Sequence, residues 1–323
     1  MRNKILTILE KNQDFVSGEA MSEMLGISRA AIWKHIQLLV ESGYEIESVR
    51  NRGYRLVSEA DHLNREAIES LMETVSLGRQ CHYLETVDST NVYLKRLTQE
   101  SPQVADGLLV VANEQTAGRG RRGRQWTSPK GQGIFMSYLL KMNLPMEQIP
   151  QLTLVAGLAV CEAMREMYGQ DLKIKWPNDV VYNSKKVCGI LTEMSGVIGE
   201  NPEIIVGIGI NASQMAFSEE IAHKATSIRL MTGEKVNRAR LIATVTMAFE
   251  QLLQLFVAEG LDALVKRFND LCVNVGLIQT ASGPGVEIKG TGLGINNSGE
   301  LMLQTVEGVK NISSGEISVE GIY

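Results

Sequence analysis

The sequence has few of the residues that mark several protein classes. Of its 323 residues only four are cysteines, and they lie far apart without a Cys-x-x-Cys pair: Cys81, Cys161, Cys188 and Cys272. We therefore expect neither a zinc site nor a disulfide framework, and a reducing, cytoplasmic environment. The longest apolar-rich stretch, residues 152–164, is shorter than the roughly 18–20 residues of a membrane span. The N-terminus lacks the pattern of a signal peptide, and no membrane association is expected.

Positive charge is not in excess either. The chain has 32 Lys and Arg against 37 Asp and Glu, which gives a net charge of -5. Overall electrostatics therefore do not drive nucleic-acid binding, and any DNA contact requires a local basic patch. With 44% hydrophobic and 21% charged residues the composition is that of a globular protein. At about 150 residues per domain, the length predicts two domains with room for a third small one.

The N-terminal part, residues 1–60, predicts three helices followed by a hairpin. Ser17 and Ser28 are suited to N-caps, and Gly26 stands where the second helix ends. Two short helices with a glycine at the turn are typical of a helix-turn-helix. After Gly43, two alternating segments around an Asn-Arg-Gly turn predict a wing.

The third helix and the wing carry the predicted DNA-contacting residues. Acidic residues precede the turn between the helices and basic residues follow it, which predicts one basic face. We expect residues 28–36 to enter a major groove and the wing to reach phosphates or a minor groove. The alternative is a winged-helix module used for protein contact. The predicted residues are Ser28, Arg29, Ala30, Trp33, Lys34, Arg50 and Arg52.

The remainder of the chain predicts a large mixed domain and a small β domain. Buried strands are expected at 108–112, 134–140 and 204–210, and helices at 152–168 and 238–268, the latter broken at Gly260. Beyond residue 270, short glycine-spaced strands predict a small β-barrel. The predicted fold class is α+β multidomain, with a winged helix at 1–63, a mixed α/β domain at 64–270 and a β domain at 271–323.

Residues 115–130 form the most unusual segment, which we call the arginine loop. It holds four arginines and one lysine with no acidic residue. Residues 118–123 match Gly-x-Gly-x-x-Gly, but a Rossmann motif must open a helix, and here the chain runs into Trp126 and Pro129. A solvated basic loop or an RNA-binding patch is a second alternative. We favour a clamp for an anionic ligand, mobile when empty, because glycine backbone and arginine forks both bind oxyanions.

Three polar segments are expected to join this clamp. They are residues 88–91 (Asp-Ser-Thr-Asn), 175–193 (from Lys-Trp-Pro-Asn-Asp to Lys-Val-Cys-Gly and beyond) and 207–211 (Gly-Ile-Gly-Ile-Asn). Each also has a structural interpretation. Ser89 and Asn91 could cap a helix, Trp176 could be core, and Lys186 could be a surface residue.

Together with the N-terminal Ser-Arg-Ala-Ala-Ile-Trp-Lys of residues 28–34, these motifs resemble the bifunctional bacterial biotin protein ligases that also repress the biotin operon. The resemblance covers essentially the whole chain. It implies a winged helix, a central ligase domain related to class II tRNA synthetases and an SH3-like C-terminal barrel. It also implies the reaction: biotin and MgATP give biotinyl-5′-AMP, and a lysine of a biotin carboxyl carrier domain (of acetyl-CoA carboxylase or pyruvate carboxylase) then takes the biotin.

The resemblance also implies residue roles. The catalytic candidates are Lys186, Arg119, Arg121 and Asp179. The biotin pocket is expected to contain Ser89, Thr90, Asn91, Gln115, Arg119, Gly120, Arg121 and Lys186, and the ATP and adenylate site Gly118, Arg122, Arg124, Trp126 and Asn211. Mg²⁺ is expected to arrive with ATP, without direct protein ligands. Asp179 could position Lys186, a magnesium-bound water or the incoming amine.

A second activity follows from the same resemblance. The bound adenylate is expected to favour a homodimer whose two winged helices match a palindromic operator, so that biotinyl-5′-AMP acts as co-repressor. Two rivals remain: a related lipoate ligase, and a ligand-sensing repressor without catalysis.

Overall fold

A computed structural model describes residues 1–12, 14–41, 44–58, 63–101, 103–195, 202–283 and 286–322 of the chain. Gly43, which precedes the predicted hairpin, and residues 59–62, next to the predicted domain boundary at residue 63, lie outside the described residues.

The N-terminal helices end where the sequence predicts. This region consists of α1 (Arg2–Lys11), α2 (Gly18–Leu25), α3 (Arg29–Glu41), β1 (Glu45–Val49) and β2 (Gly53–Ser58). The Ser17 side chain accepts a hydrogen bond from the Ala20 amide at 3.0 Å, and Gly26 ends α2 in the left-handed conformation. Ser28 Oγ likewise accepts from the Ala31 amide at 3.2 Å. Local capping chemistry thus defines the helix-turn-helix.

One apolar face of α3 packs inward, and its other face is left to solvent. Ile32, Ile36 and Leu39 are fully buried together with Ile5 and Leu6 of α1. Burying a side chain of this size contributes about 1.5–3 kcal/mol, so these contacts hold the small domain together. The wing strands β1 and β2 pair antiparallel beside them.

The central region mixes helices with one large sheet. Its elements are α4 (Arg65–Leu71), β3 (Cys81–Leu84), α5 (Thr90–Glu100), β4 (Leu109–Ala112), β5 (Gly133–Lys141), α6 (Gln151–Tyr168), β6 (Lys173–Lys175), β7 (Asp179–Tyr182), β8 (Lys185–Ser195), β9 (Glu203–Asn211), α7 (Glu219–Ala222), α8 (Ile228–Thr232), α9 (Arg238–Glu259) and α10 (Asp262–Leu271). In the described residues, seven strands follow the order β3-β4-β5-β9-β8-β7-β6, with only β3 and β4 parallel.

The two faces of this sheet are covered differently. Leu109 and Val111 of β4 belong to the main core with α6 and α9, whereas Leu108 and Val110 pack in a smaller cluster with Leu94 of α5. Strand side chains alternate between faces, so a continuous apolar run can fill both. Since α5 covers only part of its face, the rest is left open for the site described below.

Helix α9 corrects the expectation that residues 152–164 are the longest apolar-rich stretch of the chain. By length and composition it could cross a membrane, which the earlier stretch 152–164 could not. Most of it is buried instead, against α6 and α4, and it is a core helix of this fold. As predicted, the helical region breaks at Gly260, after which α10 begins.

The C-terminal region is a five-stranded antiparallel sheet within the described residues. Its strands are β10 (Ile278–Gly283), β11 (Val286–Ile295), β12 (Leu301–Thr305), β13 (Gly308–Ile312) and β14 (Glu316–Val319), in the order β13-β12-β11-β10-β14. Trp176 joins this sheet to the central domain: its indole donates to the Gly299 carbonyl at 3.0 Å and its ring is buried. The core interpretation of Trp176 is therefore confirmed.

Candidate active site

A cavity of about 860 Å³ opens on the sheet face that α5 leaves uncovered. Its floor is made by glycines of β8 and β9, namely Gly189, Gly207 and Gly209. A Cβ atom at Gly209 would lie 2.7 Å from Trp126 Nε1, and one at Gly207 would lie 2.2 Å from Asn91 Oδ1. The missing side chains therefore make room for a tryptophan and an amide that lie directly on the sheet.

One end of the cavity is lined by neutral hydrogen-bonding groups. Ser89, Thr90 and Asn91 begin α5, and Gln115 begins the arginine loop. Gln115 Oε1 accepts from the Thr90 amide at 2.9 Å, and Gln115 Nε2 donates to Ser128 Oγ at 2.9 Å. Ser89 occupies the N-cap position but, among the described residues, its side chain makes no capping hydrogen bond. These side chains are thus positioned toward the cavity and away from solvent.

The arginine loop folds as a short hairpin across the cavity. Trp126 donates its amide to the Gly118 carbonyl at 2.9 Å, and Gly120 donates to the Arg124 carbonyl at 2.7 Å. Between them lies only a single turn, Arg121–Gly123, with Arg122 at a φ of 56°. The chain opens no long helix here, so the rejection of a Rossmann motif is confirmed.

Gly118 has a structural role within the arginine loop. It is buried and is not among the described residues that line the cavity. A Cβ atom there would lie 2.4 Å from the Trp126 carbonyl oxygen and 2.7 Å from Ser128 Oγ. Gly118 therefore allows the two limbs of the loop to approach each other, and its contact with ATP stays a prediction.

The loop arginines find partners from distant parts of the sequence. Arg121 Nη1 donates to Asn178 Oδ1 at 3.2 Å, and burial lowers the pKa of the Arg121 guanidinium. Arg122 and Arg124 both pair with Glu316 of β14. Arg119 lines the cavity as well and is exposed. The C-terminal sheet thus contacts the loop through one carboxylate.

Lys186 of β8 places a positive charge in the cavity, on the sheet itself. Its ammonium lies 2.5 Å from Asp179 Oδ1 and 5.2 Å from the centroid of the Trp126 ring. The side chains of Lys186 and Asp179 are only 26% and 18% exposed. The surface interpretation of Lys186 is therefore wrong, because its charge lies inside the cavity.

Asn211 lines the cavity, but its amide is engaged in holding the protein chain. Its Nδ2 donates to the Thr226 carbonyl at 3.0 Å and to the Lys186 carbonyl at 3.4 Å. Gln214 Nε2 approaches its oxygen at 3.3 Å. The amide therefore fixes the segment around residue 226 against β8, and the expectation that it reads an adenine edge stays a prediction.

Several cavity residues carry no signal in the sequence. Glu316 reaches the loop, and residues 214, 216–218 and 223–225 form one wall, whereas Asn178, which also reaches the loop, belongs to the predicted Lys-Trp-Pro-Asn-Asp motif. Ser137 is not among the described lining residues, but it is a completely buried serine in the apolar run of β5 and touches Thr90 and Asn91. A buried hydroxyl must find partners, and that requirement could have identified it.

The predicted DNA-contacting residues form two groups. Ser28, Arg29, Ala30, Trp33 and Lys34 are all exposed at the start of α3, with Trp33 56% exposed. Arg50 is exposed on the wing. Arg52 instead pairs with Asp14 at 2.9 Å and lies over the Phe15 ring. The separation of acidic from basic residues is therefore less complete than the sequence predicts.

In the described part of the chain, no group of three or more His, Cys, Asp or Glu side chains is placed to hold a metal ion. The four cysteines are free and buried, and burial raises the pKa of Cys188 well above its ordinary value. The cavity offers hydroxyls, amides and cations, together with the separate side chains of Asp179, His223 and Glu316.

Comparison with known proteins finds relatives that match nearly the whole chain. Residues 83–211 match the biotin/lipoate A/B protein ligase family, and residues 1–55 match a helix-turn-helix domain. The chain is 37% identical over 312 residues to the bifunctional ligase/repressor BirA of Bacillus subtilis, which covers 96% of this chain and 95% of that protein. Over 316 residues it is 32% identical to BirA of Escherichia coli, covering 98% and 96%.

A solved structure resembles the chain beyond the winged helix. The biotin protein ligase from Aquifex aeolicus in complex with biotin and ATP is 35% identical, has a TM-score of 0.66, and covers 75% of this chain and 98% of that one. The identity with the two ligase/repressors extends over both the helix-turn-helix and the region of the cavity. The chain therefore belongs to the family of bifunctional biotin ligase/repressors.

Proposed function

We propose that this chain joins biotin to ATP, giving biotinyl-5′-AMP and pyrophosphate, and then transfers biotin to one lysine of a biotin carboxyl carrier domain. The observation that carries the proposal is the division of the cavity into two ends. One end offers neutral hydroxyls and amides, and the other offers Lys186 and the arginine loop. A neutral urea ring and an anionic carboxylate and phosphate require these two environments in one molecule.

In the first step, a carboxylate oxygen of biotin attacks the α-phosphorus of ATP. The new O–P bond forms as the bond to pyrophosphate breaks. Two anions must approach each other, so cations at the reacting atoms lower the barrier. We assign this role to Lys186, Arg119 and Arg121. The ion pair between Lys186 and Asp179 supports a positioning role for Asp179, which holds the ammonium over the sheet.

In the second step, the neutral ε-amine of the acceptor lysine attacks the anhydride carbonyl. The C–N bond forms, the C–O bond to AMP breaks, and the proton lost by the amine passes to the departing AMP phosphate or to water. The loop over the cavity would exclude water, which otherwise hydrolyses the anhydride. Because AMP is already a good leaving group, the enzyme needs no covalent intermediate of its own.

The remaining ligand assignments follow the two ends of the cavity. We propose that the biotin ring lies among Ser89, Thr90, Asn91 and Gln115, beside Gly120. Trp126 would stack on the adenine. Arg122 and Arg124 would bind phosphate oxygens in exchange for Glu316. Mg²⁺ would enter as MgATP, bound mainly by the phosphates, because Mg²⁺ keeps several waters and binds readily through substrate phosphates.

Three structural assignments belong to the same proposal. The domain boundaries are 1–63, 64–270 and 271–323. The central domain is related to class II tRNA synthetases, and the five-stranded C-terminal sheet is an SH3-like barrel. We further propose a cytoplasmic protein that, when it holds the adenylate, forms a homodimer and represses biotin genes at a palindromic operator. Exposed residues at the start of α3 support DNA contact.

The test is direct. The protein is incubated with biotin, MgATP and the carrier domain of acetyl-CoA carboxylase or pyruvate carboxylase, and the carrier is weighed by mass spectrometry. We expect the mass gain of one biotinyl group on one lysine, and none when lipoate replaces biotin. An unmodified carrier would reject the ligase. DNA binding by operator fragments, measured with and without biotin plus ATP, tests the repressor, and equal affinity would reject the co-repressor role.

A further inference from the structure

A chain of buried hydrogen bonds runs from the neutral end of the cavity to an ion pair outside it. Thr90 Oγ1 lies 2.6 Å from Ser137 Oγ, which lies 2.6 Å from Asn91 Oδ1. Asn91 Nδ2 donates to Glu193 Oε2 at 2.8 Å, and Lys95 Nζ pairs with Glu193 Oε1 at 2.6 Å. Thr90 and Asn91 line the cavity, whereas Lys95 and Glu193 are not among its described lining residues.

The ion pair determines which way the Asn91 amide points. Burial alone would raise the pKa of Glu193, but hydrogen bonds from Lys95 and Asn91 outweigh it and lower that pKa. Glu193 is therefore ionised at neutral pH and only accepts hydrogen bonds. The Leu191 carbonyl, 3.4 Å from Asn91 Nδ2, is also an acceptor. Asn91 must turn its NH₂ group toward both, and its oxygen then faces Ser137.

This orientation fixes the two hydroxyl protons in turn. Each hydroxyl has one proton to donate. Ser137 must give its proton to Asn91 Oδ1, since two oxygens 2.6 Å apart need a hydrogen between them. As placed, Ser137 Oγ has donor geometry toward both Thr90 Oγ1 and Asn91 Oδ1, and its single proton cannot serve both. Because the Asn91 oxygen can only accept, we assign the Ser137 proton to it, so the hydrogen of the second 2.6 Å contact comes from Thr90. Gln115 Oε1, which the Thr90 hydroxyl also approaches, is the longer contact at 3.2 Å.

Thr90 Oγ1 is left with lone pairs only. We propose that the Lys95–Glu193 pair is a specificity device: through Asn91 and Ser137 it makes Thr90 an obligate acceptor, so that the cavity selects a ligand head group with an N–H at this point. The inference rests on the proposed function, since it is the urea of biotin that supplies such an N–H. The dithiolane ring of lipoate has none, although both acids have a similar carboxylate tail.

Glu193→Gln reverses the chain without changing its shape. In this variant the Lys95 ammonium still donates to the side-chain oxygen of the new glutamine, so the glutamine NH₂ group faces Asn91. The Asn91 side-chain amide must then flip, so that its oxygen accepts from this NH₂ group. Asn91 then donates to Ser137, Ser137 donates to Thr90, and Thr90 becomes able to donate into the cavity. Ser137→Ala is the second variant, because it cuts the chain and also releases the Thr90 proton. Glu203→Gln is the matched control, since Glu203 pairs with Lys141 at 3.5 Å on the same sheet, outside the cavity lining.

The experiment measures adenylate formation with biotin and with two cyclic carbamates, in each of which one urea N–H is replaced by oxygen. In the wild type we expect one carbamate to lose about 100-fold in kcat/KM relative to biotin, the order expected when a buried polar group is left unpaired. In Glu193→Gln and Ser137→Ala the loss should fall below about 10-fold, with KM for ATP unchanged. Glu203→Gln should behave as wild type.

The outcomes separate the two proposals. Full carbamate discrimination in both Glu193→Gln and Ser137→Ala, or none in the wild type, would overturn the specificity device while the ligase stands. A loss that is equal for biotin and both carbamates would show that Glu193 supports the fold only, which also overturns it. A wild type that makes no adenylate from biotin would instead reject the proposed function, and the inference with it.

Discussion

Replacing Lys186 by alanine tests the cationic end of the cavity most directly. At about 4 Å from an anion and an effective dielectric constant near 20, one positive charge contributes about 4 kcal/mol. Removing one donor of this kind from an oxyanion site typically costs about 2.7–4 kcal/mol in the transition state. Since Lys186 is 26% exposed and therefore partly screened, we expect a loss of about 100- to 1,000-fold in the rate of adenylation.

The fold should survive this change. Asp179 loses its closest cation, but Arg121 and Lys175 also interact with it electrostatically, so its carboxylate is not left alone. The neighbouring lysine supplies the matched control. Lys185 is exposed, donates to the Ala222 carbonyl at 3.2 Å and is not among the described cavity-lining residues. Lys185→Ala should therefore retain wild-type turnover.

The assay is pyrophosphate release with saturating biotin and ATP, together with thermal unfolding to show that both variants are folded. A Lys186→Ala protein that turns over within about threefold of the wild type would refute the role of the lysine as a transition-state charge. A loss of turnover in Lys185→Ala of similar size would show that the strand, and not the charge, is what the substitution disturbs.

Three further predictions test other parts of the molecule. Arg121→Gly should loosen the loop and speed release of biotinyl-5′-AMP, measured by chase of labelled adenylate; slower release would contradict the clamp. Gly209→Ala should displace Trp126, whose Nε1 would lie 2.7 Å from the new Cβ, and raise KM for ATP at least about 10-fold, whereas Gly157→Ala, with 3.5 Å to its nearest neighbour, should not. Glu250→Gln should destabilise the fold by about 1.5–3 kcal/mol at neutral pH, because the carboxylate accepts from the amides of residues 75–77. Burial raises the pKa of Glu250, but these hydrogen bonds outweigh it and lower that pKa, so the wild-type advantage in thermal unfolding should shrink as the pH falls below about 4.5; an advantage independent of pH would contradict this.

The ends of the helices were predictable because capping is local. Ser17 and Ser28 accept from amides three residues later, and Gly26 donates its N–H to the Ser22 carbonyl four residues earlier, so their chemistry can be recognised in the sequence. The strand order of the central sheet could not be predicted in this way. β9 pairs with β5, far earlier in the chain, and with β8, and nothing local in a run such as 204–210 identifies its neighbours.

The residue types of the site were predictable, but the directions of its side chains were not. Asn211 ends a glycine-rich strand, as expected for a ligand contact, yet its amide holds the Thr226 carbonyl. Gly118 belongs to the loop motif, yet it packs against the Trp126 carbonyl. A motif specifies which groups are available, whereas tertiary contacts decide which of them are already engaged. For the same reason the sequence did not predict the partners of Glu193 and Glu316.

The charge of the arginine loop shows how distant contacts change a local argument. Considered alone, its five cations repel one another, which is why the sequence predicts a mobile loop before ligand binding. The fold brings Glu316 to Arg122 and Arg124, and Glu85 to Lys130 at 2.7 Å. These ion pairs are well exposed, and such pairs contribute only about 0–1 kcal/mol each. A phosphate that forms charge-assisted bonds with the same arginines can therefore displace Glu316 at little cost. In the proposed binding mode, phosphate binding and release of Glu316 from the loop are therefore one exchange, and the C-terminal sheet takes part in it through the Glu316 carboxylate.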